Sequence, residues 1–370
     1  MAKRIETIWK IEPHTQAKHA LLIGYFNAWL PIMARRNPRL LIVDGFAGPG
    51  RYAGGEPGSP LLLLNAFVAH RDRANWSDTE FVFAFIEQDQ RRFENLEREL
   101  AAIELPPNVS LIRRHGDFDT EMTDLLAGIP AGHRLAPSFV FIDPFGWTGH
   151  RLELSGTILG FPKCEVLIYV PLPWIARFVT DDKVSGSLDN LFGDDKWRAA
   201  RAIDDGPGRV TFLHDLFLAK LRATGAFARS FEMNIGPGGW NGYHLFFATG
   251  HPIGLDRMKY AMWKLDPIGG ERFADSTSVG QLVIFEDAPD LGVLRAVLQN
   301  RFAGRPVSVD EVEKFVLMDT PFHPAIHLKK GVLIPAEVDG LLTATNRQRA
   351  KTYPPGTILR FKPRAARASA

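Results

Sequence analysis

Four carboxylates stand where apolar runs of this chain stop. Asp44 closes Leu40-Leu-Ile-Val43, and Glu87 closes Phe81-Val-Phe-Ala-Phe-Ile86. Asp117 follows a run at 109–113, and Asp143 closes Phe139-Val-Phe-Ile142. Such runs read as buried strands, so the four acids gather at the carboxyl edge of one sheet, the edge where open α/β sheets bind ligands. Glycine surrounds the first acid, in Asp44-Gly-Phe-Ala-Gly-Pro-Gly50. A glycine loop brings backbone up to a ligand that a side chain would hold away. The last acid opens Asp143-Pro-Phe-Gly146. There the Asp143 carboxylate and the Pro144 carbonyl can accept the hydrogens of an amine, and Phe145 can stack on its ring. That arrangement draws the lone pair of a weakly nucleophilic exocyclic amine toward an incoming electrophile. What then remains is mainly in-line positioning.

The cofactor follows from the first loop. Gly48-Pro-Gly-Arg-Tyr-Ala53 fits the G-x-G-x-x-A dinucleotide pattern, but that pattern needs a helix to begin inside it. Here Gly and Pro continue to Gly58, and the helix signal waits for Ser59 as N-cap with Pro60 at the first position. A nicotinamide enzyme is therefore disfavoured. Asp44 suits a methionine ammonium, Glu87 the two ribose hydroxyls and Asp117 an adenine amine. S-adenosylmethionine is the expected cofactor, held by Asp44, Phe46, Gly48, Gly50, Glu87 and Asp117, with Asp143, Pro144 and Phe145 as the catalytic set. The plainer alternatives are that acids end strands because they face water, and that Asp143-Pro-Phe-Gly146 is only a turn.

Five strands (40–44, 81–86, about 109–113, 138–142 and 165–170) alternate with helical or loop segments, the pattern of a parallel sheet. Strands near 227–235 and 243–249 complete a Rossmann-like seven-stranded methyltransferase sheet with helices on both faces. Residues 18–34 read as a helix bent or interrupted at Pro31, and 90–102 and 258–264 as further helices. The stretch 180–210 reads as a surface insertion. After about 285, helical pieces at 291–301, 308–317 and 324–340 and a strand at 357–361 suggest a winged helix-turn-helix. The expected domains are thus 1–285 and 286–370, in keeping with 370 residues.

A net charge of +2 leaves nucleic-acid binding to a local patch. From residue 341 onward there are seven Lys or Arg and no acid, a basic tail suited to phosphate. The single cysteine, Cys164, excludes an intrachain disulfide and a cysteine-rich zinc site and reads as a buried, inert thiol. His323 and His327 have helical spacing but no third ligand nearby, so they read as surface or DNA-facing residues and no metal is expected. Arg35, Arg36 and Arg39 read as a solvated face, with phosphate contact as the alternative, and Trp147 and Trp174 as core, with the lining of a base pocket as the alternative. No signal peptide or membrane span is apparent, and a cytoplasmic location is expected.

The Asp143 motif is similar to one in tRNA guanine-N2 dimethyltransferases, and it departs from the Asp/Asn-Pro-Pro-aromatic pattern of other base amino-methyltransferases by its single proline. More broadly, the chain resembles the three-Cys-motif partner proteins. The resemblance runs through Lys18-His19 with Tyr25 and Trp29, Asp44–Tyr52, Gly55–Pro60, Phe141–Gly146, Tyr243–Thr249 and Met258–Trp263. It implies a methyltransferase-like fold, in some members with a winged-helix domain, and a genetic partner whose three-cysteine motif is of the radical S-adenosylmethionine kind. Two functions stay open. One is methyl transfer to DNA or RNA at an exocyclic amine. The other is a non-catalytic adaptor that binds nucleic acid and recruits the partner enzyme.

Overall fold

The computed structural model describes residues 7–234, 242–267, 272–274 and 289–363. The boundary at 285, residue 235 of the expected sixth strand and the tail beyond 363 lie outside the described residues. Two compact units are present, one of residues 1–261 and 272–281, the other of 262–271 and 282–370.

In the first unit, strands β1 (Arg39–Asp44), β2 (Glu80–Glu87), β3 (Val109–His115), β4 (Ser138–Ile142), β5 (Glu165–Val170), β6 (Phe227–Asn234), β7 (Tyr243–Thr249) and β8 (Arg272–Ala274) form one sheet. Their order is β3-β2-β1-β4-β5-β7-β6-β8. The seven expected strands are all present, and three-residue β8 adds an eighth beside β6. Strands β1 to β5 pair in parallel, while β7 runs antiparallel to both β5 and β6. Every residue of β4 and β5 is buried, which is why they read as unbroken apolar runs: a parallel sheet is covered on both faces. The covering helices are α1 (Pro13–Ala34), α2 (Ser59–Val68), α3 (Gln90–Ala101), α4 (Phe118–Ala127), α5 (Leu152–Leu159), α6 (Leu172–Phe178), α7 (Ser185–Phe192), α8 (Gly206–Ala223) and α9 (Pro252–Leu265).

Three expectations are corrected. Helix α1 is not interrupted at Pro31. Proline cannot donate to the carbonyl four residues back, and the Asn27 carbonyl meets His70 Nε2 instead, at 3.3 Å. Helix α2 takes Gly58 rather than Ser59 as its N-cap, because the Gly58 amide is drawn back to the Gly50 carbonyl at 2.7 Å. The 180–210 stretch is not a surface insertion. Leu188, Leu191, Phe192, Trp197 and Ala200 are buried in the main core, so its helical turns complete that core despite their polar composition.

Cys164 is buried, and burial pushes its thiol up to about 11, as suits an inert group. Arg35, Arg36 and Arg39 are exposed. No described helix is long and apolar enough to cross a membrane.

The second unit runs α10 (Leu291–Phe302), β9 (Pro306–Ser308), α11 (Val309–Asp319), a π-helix (Pro324–Leu333), α12 (Ile334–Val338), β10 (Leu342–Thr345) and β11 (Ile358–Phe361). Its antiparallel sheet has the order β10-β11-β9. The histidine pair is corrected here. His323 and His327 are buried, not surface groups: His327 Nδ1 accepts the His323 amide at 2.9 Å, and its ring lies 4.1 Å from that of Trp263. No metal-ligating cluster exists among the described residues. One cation of the basic tail is already engaged, since Arg347 is ion-paired with Glu337, which also accepts from Tyr353 Oη at 2.6 Å.

In the first unit, α1 is tied to the sheet by the Tyr25 hydroxyl, which donates to Glu165 Oε2, while the Thr249 hydroxyl donates to Oε1 at 2.6 Å. Tyr25→Phe leaves a buried carboxyl oxygen without its donor and should cost about 1–3 kcal/mol, read as a lower urea midpoint at unchanged slope.

Candidate functional site

The chain leaves β1 toward β2 and β3 on one side and returns to β4 on the other, so the sheet order reverses between β1 and β4. A crevice opens at such a reversal, outside the carboxyl ends of the strands. Asp44 ends β1 in register with Phe141, which puts Asp143 just beyond the neighbouring strand end. Glu87 lies opposite His115, and Asp117 follows two residues later. The four acids picked out by type and spacing therefore share one edge.

Their roles at that edge differ. Asp44 is fully buried. Its Oδ1 accepts the Phe46 amide at 3.2 Å, and its Oδ2 has no partner. Burial raises its pKa to about 7; the nearby Ser59 hydroxyl and the Phe46 amide pull the other way, and Asp143 and Glu87 add to the rise. Glu87 accepts the Gly48 amide on Oε2 and the Asp89 amide on Oε1, both at 2.8 Å. Burial raises its pKa as well. Asp117 is half-buried and caps α4 through the Thr120 amide at 3.0 Å.

The glycines divide similarly. Gly48 has φ +63° and open space where a Cβ would stand, whereas a Cβ at Gly50 (φ +82°) would meet Leu96 and Glu99 at 3.1 and 3.3 Å. Gly48 thus faces the crevice and Gly50 packs on α3. The Phe46 ring packs on Phe118, 5.7 Å between centroids. The rest of the loop closes on itself: Tyr52 N–H donates to the Glu56 carbonyl and Ala53 N–H to the Trp9 carbonyl, each at 2.8 Å.

Beside these acids lies a pocket of about 370 Å³. Asp143, Pro144 and Phe145 form one wall, Trp9, His14 and Lys18 another, and Tyr52, Tyr169, Trp174 and Tyr243 much of the remainder. Lys18 is buried, and its Nζ donates to Asp143 Oδ1 at 2.9 Å and Oδ2 at 2.7 Å. The same nitrogen sits 4.2 Å from the centre of the Tyr169 ring. Phe145 is 54% exposed, with the Arg92 guanidinium 4.5 Å from its ring centre. Burial, reinforced by Lys18, pulls His14 down to about 4 and His19 to about 3, so both rings are neutral near pH 7. His14 Nδ1 lies 3.3 Å from Glu12.

Neither a family model nor a curated protein matches this chain. Among solved structures, it is similar to Trm1 from Pyrococcus horikoshii in complex with S-adenosyl-L-methionine, at 10% identity and a TM-score of 0.35, over 71% of this chain and 62% of that one. This chain thus matches less than two thirds of that protein's length. Human methyltransferase-like protein 13 in complex with SAH matches at 14% identity and a TM-score of 0.34, over 69% of this chain and 92% of that one. A precorrin-6y C5,15-methyltransferase from Geobacter metallireducens matches at 11% identity and 0.30, over 61% and 87%.

Sequence reasoning missed the pocket wall supplied by α1 and its lead-in. A signal was present: His14 and Lys18 are spaced to share one helix face just ahead of a continuously apolar stretch. Trp174, 41% exposed, is not core but lines the pocket, the alternative the sequence left open for it. Trp147 is half-buried and donates from Nε1 to the Ser187 hydroxyl at 3.1 Å.

Two predictions follow from the electrostatics. The raised pKa of Asp44 means that the native state holds its proton more tightly than the unfolded chain. Stability is therefore lost as pH rises from the unfolded value of about 4 through about 7. Asp44→Asn removes that dependence. Between pH 4 and pH 8 the variant should gain on the native chain by on the order of 4 kcal/mol, measured by urea unfolding at each pH. Lys18→Met strips Asp143 of its cation and should destabilise by about 3 kcal/mol. Adding Asp143→Leu should recover much of that loss in a double-mutant cycle.

Proposed function

We propose that the first unit transfers a methyl group from S-adenosylmethionine to an exocyclic amine of a nucleic-acid base. The observation that carries this reading is the buried Asp44 Oδ2, without a partner at the point where the sheet reverses, one strand from the aromatic pocket around Asp143. A buried carboxylate oxygen with no donor is costly unless a ligand supplies one, and the ammonium of the methionine moiety is such a donor. The residues fit the cofactor in other ways too. Gly48 leaves the loop backbone open. Glu87, although engaged by two amides, keeps lone pairs for ribose hydroxyls. Asp117 caps with one oxygen and has another for an adenine amine.

Once bound, the cofactor supplies a sulfonium methyl with a neutral thioether as leaving group. The chain's own part is orientation and proton transfer. Lys18 holds Asp143 in one pose, and each carboxylate oxygen retains a lone pair for an amine hydrogen. The Pro144 carbonyl takes the second hydrogen, and Phe145 stacks on the base. Neutral His14 would take the proton that the amine nitrogen gives up. Nδ1 faces Glu12, so Nε2 is the accepting atom.

The helix–strand–helix–helix–strand–strand order of the second unit supports a winged helix. Its exposed Arg349, Lys351, Arg360 and Lys362 suit phosphate contacts. A three-cysteine-motif protein is the proposed partner. The non-catalytic adaptor is the second reading, favoured by one observation: both oxygens of Asp143 are already engaged by Lys18.

Isothermal titration with S-adenosylmethionine tests the site. Micromolar binding is expected, weakened at least about tenfold by Asp44→Ala or Glu87→Ala and preserved in Asp143→Ala. No binding to a folded chain would leave the adaptor.

A further inference from the structure

One exposed surface lies just outside the acceptor pocket. Helix α6 buries Leu172, Ile175 and Ala176 in the core, and Val179 beyond its end is buried too. On its other face it shows Trp174 and Phe178, each 41% exposed. Residues four apart share a helix face, and here the two rings lie nearly parallel, at 14° and 6.5 Å between centroids. Arg177, on the same face, holds its guanidinium 5.3 Å from the centre of the Trp174 ring.

The surface is continuous with the pocket. Trp174 lines the pocket itself, and Phe178 lies 5.9 Å from Trp147, another lining residue. Trp9 and Phe145 also line the pocket, and there the buried Arg92 packs its guanidinium against both rings, 4.9 and 4.5 Å from their centres. Asp182 pairs with Arg201 at 2.9 Å, and Asp181 accepts the Lys183 amide at 3.0 Å.

Two exposed rings at helical spacing with a guanidinium beside them form a surface for stacked bases and a passing phosphate chain. A duplex keeps its bases stacked on one another and offers such rings nothing but backbone. We propose that Trp174, Arg177 and Phe178 form a stacking platform for unpaired nucleotides flanking the base in the pocket. The substrate would then be a single-stranded or looped nucleic acid. This rests on the nucleic-acid reading above but not on methyl transfer.

The test uses the full chain and a labelled 12-nucleotide RNA, as a single strand and as a duplex, followed by fluorescence anisotropy. The single strand should bind more tightly than the duplex. The double variant Trp174→Ala/Phe178→Ala should bind the single strand at least about tenfold more weakly while its S-adenosylmethionine affinity stays unchanged and its circular dichroism spectrum remains that of the folded chain. A strand carrying 5-iodouridine should crosslink to the 172–178 peptide. Equal affinity in the double variant, crosslinks confined to residues 289–363, or no binding of either RNA would overturn the platform. The two readings separate cleanly. Platform-dependent RNA binding without cofactor binding sinks the transferase, and cofactor binding with platform-independent RNA binding sinks the platform.

Discussion

A buried ion pair organises the acceptor side of this molecule. Lys18, from the N-terminal helix, reaches the carboxylate that follows β4 and grips both of its oxygens. Neither end of the pair could be left alone. A lone cation or carboxylate in these surroundings would cost several kcal/mol, and their attraction offsets that cost only while the geometry holds. The pair therefore fixes α1 against the carboxyl edge of the sheet and makes the lead-in to that helix a wall of the pocket. It has a further electrostatic effect, because the Lys18 charge adds to burial in keeping His14 and His19 neutral.

The neighbouring crevice is built on the opposite principle. Asp44 is buried with one oxygen unsatisfied, and its proton is held to about pH 7. A fold optimised for stability alone would not keep such a group, since an apolar residue of similar size would remove its desolvation cost. It stands next to a glycine with open space before it, the arrangement on which the proposed cofactor site rests. Glu87 marks the contrast. Two backbone amides satisfy it in part, so it holds the glycine loop in shape as well as facing the crevice.

The two sites meet because the sheet reverses between β1 and β4. Helix α6 follows β5 to the pocket mouth, where its core face is fully committed and its aromatic face is not. One helix thus combines a packing role with a surface of different chemistry, and that surface extends the pocket outward along the path a polymer would take.

Much of this was legible in the linear chain. Unbroken apolar runs gave the buried parallel strands, because a strand covered on both faces has no polar side to show. The acid ending each run and the glycines after Asp44 marked the carboxyl edge of the sheet, since those residue types answer to local rules of backbone conformation and solvation. The hydrophobic pattern after residue 290 gave the pieces of the second unit. What the chain could not reveal was any pairing across long separations. Lys18 and Asp143 are 125 positions apart. The burial of 188–200, of His323 and of His327 likewise depends on neighbours supplied from elsewhere in the chain. Composition decides which residues can be buried, but only the packed tertiary structure decides which ones meet, and with them the raised pKa of Asp44 and Glu87 and the lowered pKa of His14 and His19.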